Sequence, residues 1–318
     1  MPIKQYILPF FVALATLAGC ADKTPPRPID RLDLVLADPT STPTARELEA
    51  FRAWGEILNF PAERAQYARL QAVQSFMPLV REAVGSLDSV ETVLGEALAG
   101  YPEAELFAVV TPFNQAVVTH PDGFVFVALN HYLGPESEAY RGFPEYIRKH
   151  KQLRQLPADV TEAVIAGATD GRPEPGAPLL SYLLYKGALL DAVSRAMPEG
   201  TPDATILGMT PEELEWCREN EGRIWQTLIE KKLLYSTDAQ QIARLILPAA
   251  NSGIINANAP GQAALYSALQ LARAYREHNP DAPLLEERRF LDNQSLVKSQ
   301  YSPALPHGKR LSEPTPAQ

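Results

Sequence analysis

Positive charge is in short supply in this chain. Lys and Arg total 29 against 38 Asp and Glu, a formal net charge of −9. A reader of phosphate backbones needs a basic surface, so nucleic acid is not an expected partner. The same balance argues against an electrostatic grip on anionic lipid. Histidine is scarce too. None of the five (His120, His131, His150, His278 and His307) lies four residues from another, and H-E-x-x-H is missing, which excludes a helical zinc pair. A G-x-S-x-G elbow is absent, so an α/β-hydrolase is unsupported. No glycine-rich loop opens a helix, which removes the P-loop and dinucleotide-binding readings. There is no internal repeat. Past residue 19 no stretch is apolar enough to span a bilayer. Cysteine occurs twice, at Cys20 and Cys217.

What is present begins at the N-terminus. Lys4 precedes an uncharged run over residues 6–19, and charge returns at Asp22 and Lys23. A spanning helix needs roughly 20 apolar residues, so this run fits the apolar region of a secretory signal. It ends on Leu17-Ala18-Gly19-Cys20, which resembles the lipobox of bacterial lipoproteins. That resemblance implies a signal peptide over 1–19, cut before Cys20, and a diacylated Cys20 thiol as the covalent lipid site. Small Ala18 and Gly19 admit the peptidase, and only a thiol takes the thioether lipid. Each buried methylene contributes about 0.8 kcal/mol, so several acyl chains anchor stably. The mature chain is then tethered to a membrane without crossing it. Its net charge becomes −10 once Lys4 is removed. Ala21, rather than an acidic residue, follows the cysteine, which by the same resemblance implies outer-membrane sorting, facing the periplasm. With Cys20 lipidated, Cys217 has no intramolecular partner.

The mature chain opens with a tether over 20–28 containing Pro25, Pro26 and Pro28. Leu32, Leu34 and Leu36 alternate with Asp33 and Val35, which suggests a short strand. Residues 46–85 are helix-rich, with breaks expected near Pro61 and Pro78. Ser89 is a candidate cap for a helix through Leu98, with Glu91 in its first turn. From Glu105 the runs 106–110, 116–118 and 124–129 are β-rich. "HPDG" between the last two has turn chemistry, since Pro presets φ and Gly supplies φ > 0. Strands so closely spaced imply a small antiparallel meander, with Phe124, Phe126 and Ala128 on one face.

After "NHYLG" helices dominate. Residues 158–168 form one, and 178–196 another whose leucines cover a wide arc, with Gly187 allowing a close neighbour. Thr210-Pro211-Glu212-Glu213 reads as N-cap, first helical residue and capping box, opening a helix to about Lys232. Residues 237–240 repeat the box. Pro260 opens a helix to about Glu277, whose Ala264, Ala268 and Ala272 suit close packing. Residues 302–318 read as a disordered tail. The expectation is an α+β fold in one domain, 29–301, with a small antiparallel sheet followed by a mostly helical C-terminal half.

Few residues suggest chemistry. His131 in "LNHYLG" is the one histidine placed just past a strand. Cys217 reads as a buried inert thiol, and Trp216 and Trp225 as core. Carboxylate pairs such as Glu212/Glu213 and Glu215/Glu219 read as caps or solvated faces.

At "LNHYLG", "GFPEYIR", "PEELEWCRENEGRIWQTLIEKKLLYSTD", "NAPGQAALYSALQLARAY" and "SLVKSQYSP" the chain resembles the gliding-motility lipoprotein GldB family of the Bacteroidetes. That family in turn resembles predicted zincin-like proteases, in which a small sheet is followed by a helix bearing H-E-x-x-H. The kinship implies a zincin-like fold with residues 178–196 in the place of the metal helix. Here that helix reads "LLSYLLYKGALL", without His or any Glu before Asp191, whereas catalytic zinc takes three protein ligands. So no catalytic residue, no metal and no cofactor beyond the Cys20 lipid is expected. Tyr185, Asn220 and Glu221, hydrogen-bonded to each other or to water, are the candidate lining of a cleft left from an ancestral site, with His131 as a further candidate. The resemblance implies a non-catalytic component of a gliding or secretion apparatus with envelope protein partners. A degenerate zincin-type hydrolase and a periplasmic small-ligand binder are the alternatives.

Overall fold

Strand β4, Phe124–Ala128, is apolar on both faces and is buried at every residue. A strand of that kind belongs in the middle of a covered sheet. In the computed structural model, which describes residues 24–58, 63–169, 171–281 and 293–305, β4 lies between β2, Glu105–Val109, and β3, Val117–Thr119, in the order β1-β2-β4-β3. β1 is the pair Ile29–Asp30. β2 runs parallel to both β1 and β4, and only β3 is antiparallel to its neighbour. The sheet is therefore mixed, not the expected antiparallel meander. "HPDG" does form the β3–β4 turn, with Gly123 at φ 89°. The half-exposed β3 takes the edge, and β4 inserts beside β2, where Phe107 pairs with Phe126. Phe124 and Phe126 share a face, their ring centroids 6.2 Å apart.

Among the described residues five helices precede β2: α1 (Leu32–Ala37), α2 (Ala45–Leu58), α3 (Arg64–Arg69), α4 (Gln71–Ala83) and α5 (Asp88–Ala97). The strand expected over 32–36 is α1. Leu32 and Leu36 bury together one turn apart, and the buried Asp33 carboxylate takes two 2.8 Å bonds from Arg31. Pro78 sits inside α4, and the break falls earlier, at Leu70. Ser89 does not cap α5. Its N-cap is Leu87, and the Ser86 hydroxyl accepts from the Asp88 N–H at 3.0 Å. Phe51, Trp54 and Tyr67 meet with centroids 5.7–6.1 Å apart beneath the sheet's end, where the Tyr67 hydroxyl accepts from Val110 N–H at 3.1 Å.

The rest is helical, as expected: α6 (Glu145–Arg148), α7 (Leu156–Gly167), α8 (Leu179–Ala196), α9 (Asp203–Leu207), α10 (Pro211–Glu219), α11 (Glu221–Glu230), α12 (Ala239–Ile246), α13 (Ala263–His278) and α14 (Asn293–Ser299). The single helix expected over 211–232 is two, broken at Asn220. Asp238, not Thr237, caps α12 through Gln240 and Gln241 N–H. α13 starts three residues past Pro260, because Gln262 is left-handed at φ 64° and ends the helical run there; Gly261 before it is pressed against Ala249, whose carbonyl oxygen would lie 2.0 Å from a Cβ.

Two apolar clusters result. One surrounds the sheet and the other surrounds α8 and α13. α5 and α7 give residues to both: Val90, Leu94, Val160 and Val164 to the first, Ala97, Ala158 and Ile165 to the second. Among the described residues no helix is long and apolar enough to cross a membrane. The expected signal over 1–19, Cys20 and residues 306–318 with His307 lie outside the described residues. Residues 24–28 of the expected tether lie against α5, and beyond residue 301 Ala304 packs on Gly222.

The capping box at Thr210 is present. The Thr210 hydroxyl accepts from Glu213 N–H at 3.2 Å, and the Glu213 carboxylate accepts from Thr210 N–H at 2.9 Å. Thr210→Ala orphans one of those donors and should destabilise by about 1 kcal/mol. A denaturation midpoint equal to wild type would count against the cap.

Candidate functional site

His131 ends the short 3-10 turn that follows β4. The preceding Asn130 fixes this turn to the end of β2, accepting from Thr111 N–H at 3.1 Å and donating to Thr111 O at 2.9 Å. The His131 Nε2 lies 3.0 Å from the Phe113 carbonyl. A carbonyl only accepts, so Nε2 carries the proton. That leaves the Nδ1 lone pair for the Lys151 ammonium at 2.9 Å. Burial, helped by the Lys151 charge, pushes the imidazole pKa down to about 4. Lys151 lies over the Tyr140 and Phe143 rings at 5.1 and 5.5 Å, and burial lowers its own pKa. Beside it the Tyr132 hydroxyl donates to Asp159 at 2.8 Å, and burial lifts that carboxyl to about 6. Both ring nitrogens of His131 are thus engaged inside the protein. The arrangement holds a neutral imidazole as a strut between chain segments.

The other three expected cleft residues belong to the helical half. Tyr185 is buried in the α8 core. Asn220 closes α10, its amide donating to Trp216 O at 2.8 Å. Glu221 accepts from the Tyr301 hydroxyl at 2.8 Å and the Tyr266 hydroxyl at 3.4 Å, and burial and the Glu221 charge raise the Tyr301 pKa. So Asn220 and Glu221 are neighbours aimed at different partners, and His131 belongs to the other cluster. Among the hydrogen bonds of the described residues, none joins two of these four. Cys217 is buried, and burial pushes its thiol up to about 12, as suits an inert side chain.

On α8, the helix expected in the place of a metal helix, the polar groups are given to neighbours. Asp191, 1% exposed, takes bonds of 2.9 and 3.0 Å from Arg276 and 3.2 Å from Arg195. Ser194 and Asp203 both take Arg273, the latter through two bonds of 2.6 and 2.7 Å. Lys186 reaches Glu162 on α7 at 2.5 Å. Among the described residues no group of three or more His, Cys, Asp and Glu is placed to hold a metal ion. The sequence signal for this pairing is Arg273 and Arg276, three apart on one helix face, but their acidic partners are 70 and 85 residues away.

A cavity of about 330 Å³ lies between the start of β4 and the end of α7, lined by Tyr101, Glu103, Thr119, His120, Phe124 and Val164 among others. It is of small-ligand size. His120 Nδ1 accepts from Asp122 N–H at 3.2 Å, so its Nε2 bears the proton. In the sequence His120 belongs only to a turn, and nothing local shows that the turn abuts α7. Gly167 allows that approach, since a Cβ there would stand 3.0 Å from the Thr119 hydroxyl.

A family model described as gliding motility protein GldB matches residues 56–303, more than three quarters of the chain. No curated protein and no solved structure matches it.

Proposed function

This chain belongs to the gliding motility protein GldB family, and from that premise we propose that it is a lipid-anchored, non-catalytic component of a gliding-motility or related secretion apparatus. It would be held at the outer membrane through Cys20 and face the periplasm, where other envelope proteins are its partners. The observation that carries the non-catalytic reading is the commitment of the polar groups on α8. Asp191 is closed by Arg276 and Arg195, and Gly187 lies against Ala268. In this reading the zincin kinship survives as shape, with the metal helix turned into a packing helix. The small-ligand alternative rests on the cavity beside His120, and a degenerate hydrolase would have to work without a free imidazole at His131.

Cys20→Ser should give an uncleaved precursor that takes up no labelled fatty acid and fails to restore motility in a strain lacking the gene. Glu103→Gln and His131→Gln, at normal abundance, should restore it, and native-membrane purification of the wild type should bring down envelope proteins. Normal processing of the serine variant refutes lipid anchoring. Loss of motility in the other two, with abundance and solubility intact, refutes the non-catalytic reading.

A further inference from the structure

The segment over residues 25–29 is clasped. The Arg27 guanidinium donates to four carbonyls: Leu98 and Tyr101 at 3.1 and 3.3 Å, Pro102 and Ala104 at 3.1 and 3.3 Å. These are the end of α5 and the turn after it, where a helix presents its unpaired carbonyls and favours a cation. Around this bond set the backbone is held too. Arg27 N–H donates to Glu91 O at 2.8 Å and Ile29 N–H to the Glu91 carboxylate at 2.9 Å. Pro25 lies so close to α5 that its carbonyl oxygen would be 2.2 Å from a Cβ on Gly95. Two residues past Arg27, Ile29 enters the sheet beside Leu106.

Five residue steps separate Cys20 from Pro25, and at full extension they reach about 18 Å. A long flexible tether leaves a tethered body free to turn. This one is shorter than a domain of about 300 residues is wide and is fastened at one place on it. We propose that the end of α5 and the 98–104 turn form the membrane-apposed face of the protein, set against the lipid leaflet that carries the anchor. α11, which packs mainly on α13 and on residues 233–235 and not on α5, then lies away from that leaflet, toward protein partners. The inference rests on acylation of Cys20. It does not rest on charge: Glu96 and Glu103 stand exposed near the clasp, and the chain is acidic, so the contact is imposed by the clasp and not by attraction to headgroups.

The test uses full-length acylated protein in vesicles of phosphatidylethanolamine and phosphatidylglycerol with a trace of headgroup-quencher lipid. One fluorophore is placed at Ala99→Cys beside the clasp, or at Gln226→Cys on α11, with wild type, whose Cys217 is buried, as the labelling background. Quenching should be several-fold stronger at position 99 and indifferent to added salt, which screens exposed charges. Inserting twenty Gly/Ser residues after Ala21 should erase the contrast. Vesicles that take up no protein overturn the anchor and this inference together. Uptake with equal quenching at the two positions, or a contrast that salt removes or the insertion leaves intact, overturns the orientation alone.

Discussion

A valine at position 187 should leave little folded protein. Gly187 is the crossing point of α8 and α13, where a Cβ would stand 2.0 Å from the Ala268 carbonyl oxygen and 2.6 Å from its carbon. Those are backbone atoms, so no side-chain rotation relieves the clash and the helices must part. α13 is shaped for this approach: Ala264, Ala268 and Ala272 are all at most 3% exposed. Parting them opens the leucine layer of Leu183, Leu190 and Leu269, each now buried. It also strains the Arg276–Asp191 pair one turn further along. Helix propensity works the other way, since Gly in a helix interior costs about 1 kcal/mol relative to Ala. Overpacking of a rigid core commonly costs 1–3 kcal/mol, occasionally more. A clash against backbone belongs at the upper end, so the valine should cost about 3 kcal/mol or more and Gly187→Ala somewhat less. Denaturant titration of both variants decides it. An alanine variant as stable as wild type would mean the helices separate freely and that Gly187 is incidental.

That glycine, the alanine stripe and the Thr210 box were legible in the sequence because each is a local signal read by its own helix. The sheet order was not legible. A period of two identifies a strand and says nothing about its partner, so β4 passing between β2 and β3 could not be read from spacing. The run over 32–36 shows the same ambiguity at smaller scale. Its alternation satisfies a strand, yet Leu32 and Leu36 are also one helical turn apart, and it is those two that the core buries. Periodicity runs unbroken through Asn220, and the break there comes from a side chain that returns to its own helix end. At the candidate site, "LNHYLG" drew attention to His131. Its partners, Phe113 and Lys151, lie 18 and 20 residues away, and only the fold reveals that they use up the imidazole. Arg27 was the furthest out of reach. It stands in a proline-rich stretch that reads as tether, and the four carbonyls that hold it come from more than 70 residues along the chain.

The His131–Asp159 neighbourhood should make stability depend on pH through two opposed groups. The imidazole pKa falls from 6.5 to about 4 because burial disfavours its charged form. The unfolded chain therefore binds the proton more readily, so this contribution is whole above pH 6.5 and is lost as pH falls through 4. At about 1.4 kcal/mol for each unit, full linkage is of order 3 kcal/mol, less an allowance for the ring's partial exposure. Asp159 runs in the opposite sense. Burial lifts its pKa from 3.8 to about 6, so the folded state holds the proton more tightly. Its contribution is present below the unfolded pKa and is lost as pH rises through 6. Over the window from 4 to 6.5 these two largely offset each other. The tie is broken by His150, which burial also depresses to about 4, so wild-type stability should rise with pH. Asp159→Asn removes the falling arm while leaving an acceptor for the Tyr132 hydroxyl. Its stability should match wild type near pH 4 and exceed it at pH 7 by about 1–2 kcal/mol, the lower figure reflecting partial solvent contact. His131→Gln should flatten the rise, matching wild type near pH 7 and exceeding it at pH 4.5, where the variant has no imidazole for the unfolded chain to protonate. Urea midpoints at pH 4.5, 5.5 and 7 measure all three proteins. An asparagine variant less stable than wild type at pH 7 would show that the fold stabilises the carboxylate there through a counter-charge instead of penalising it. Lys151 would then have to be its counter-charge, rather than the donor that keeps His131 neutral.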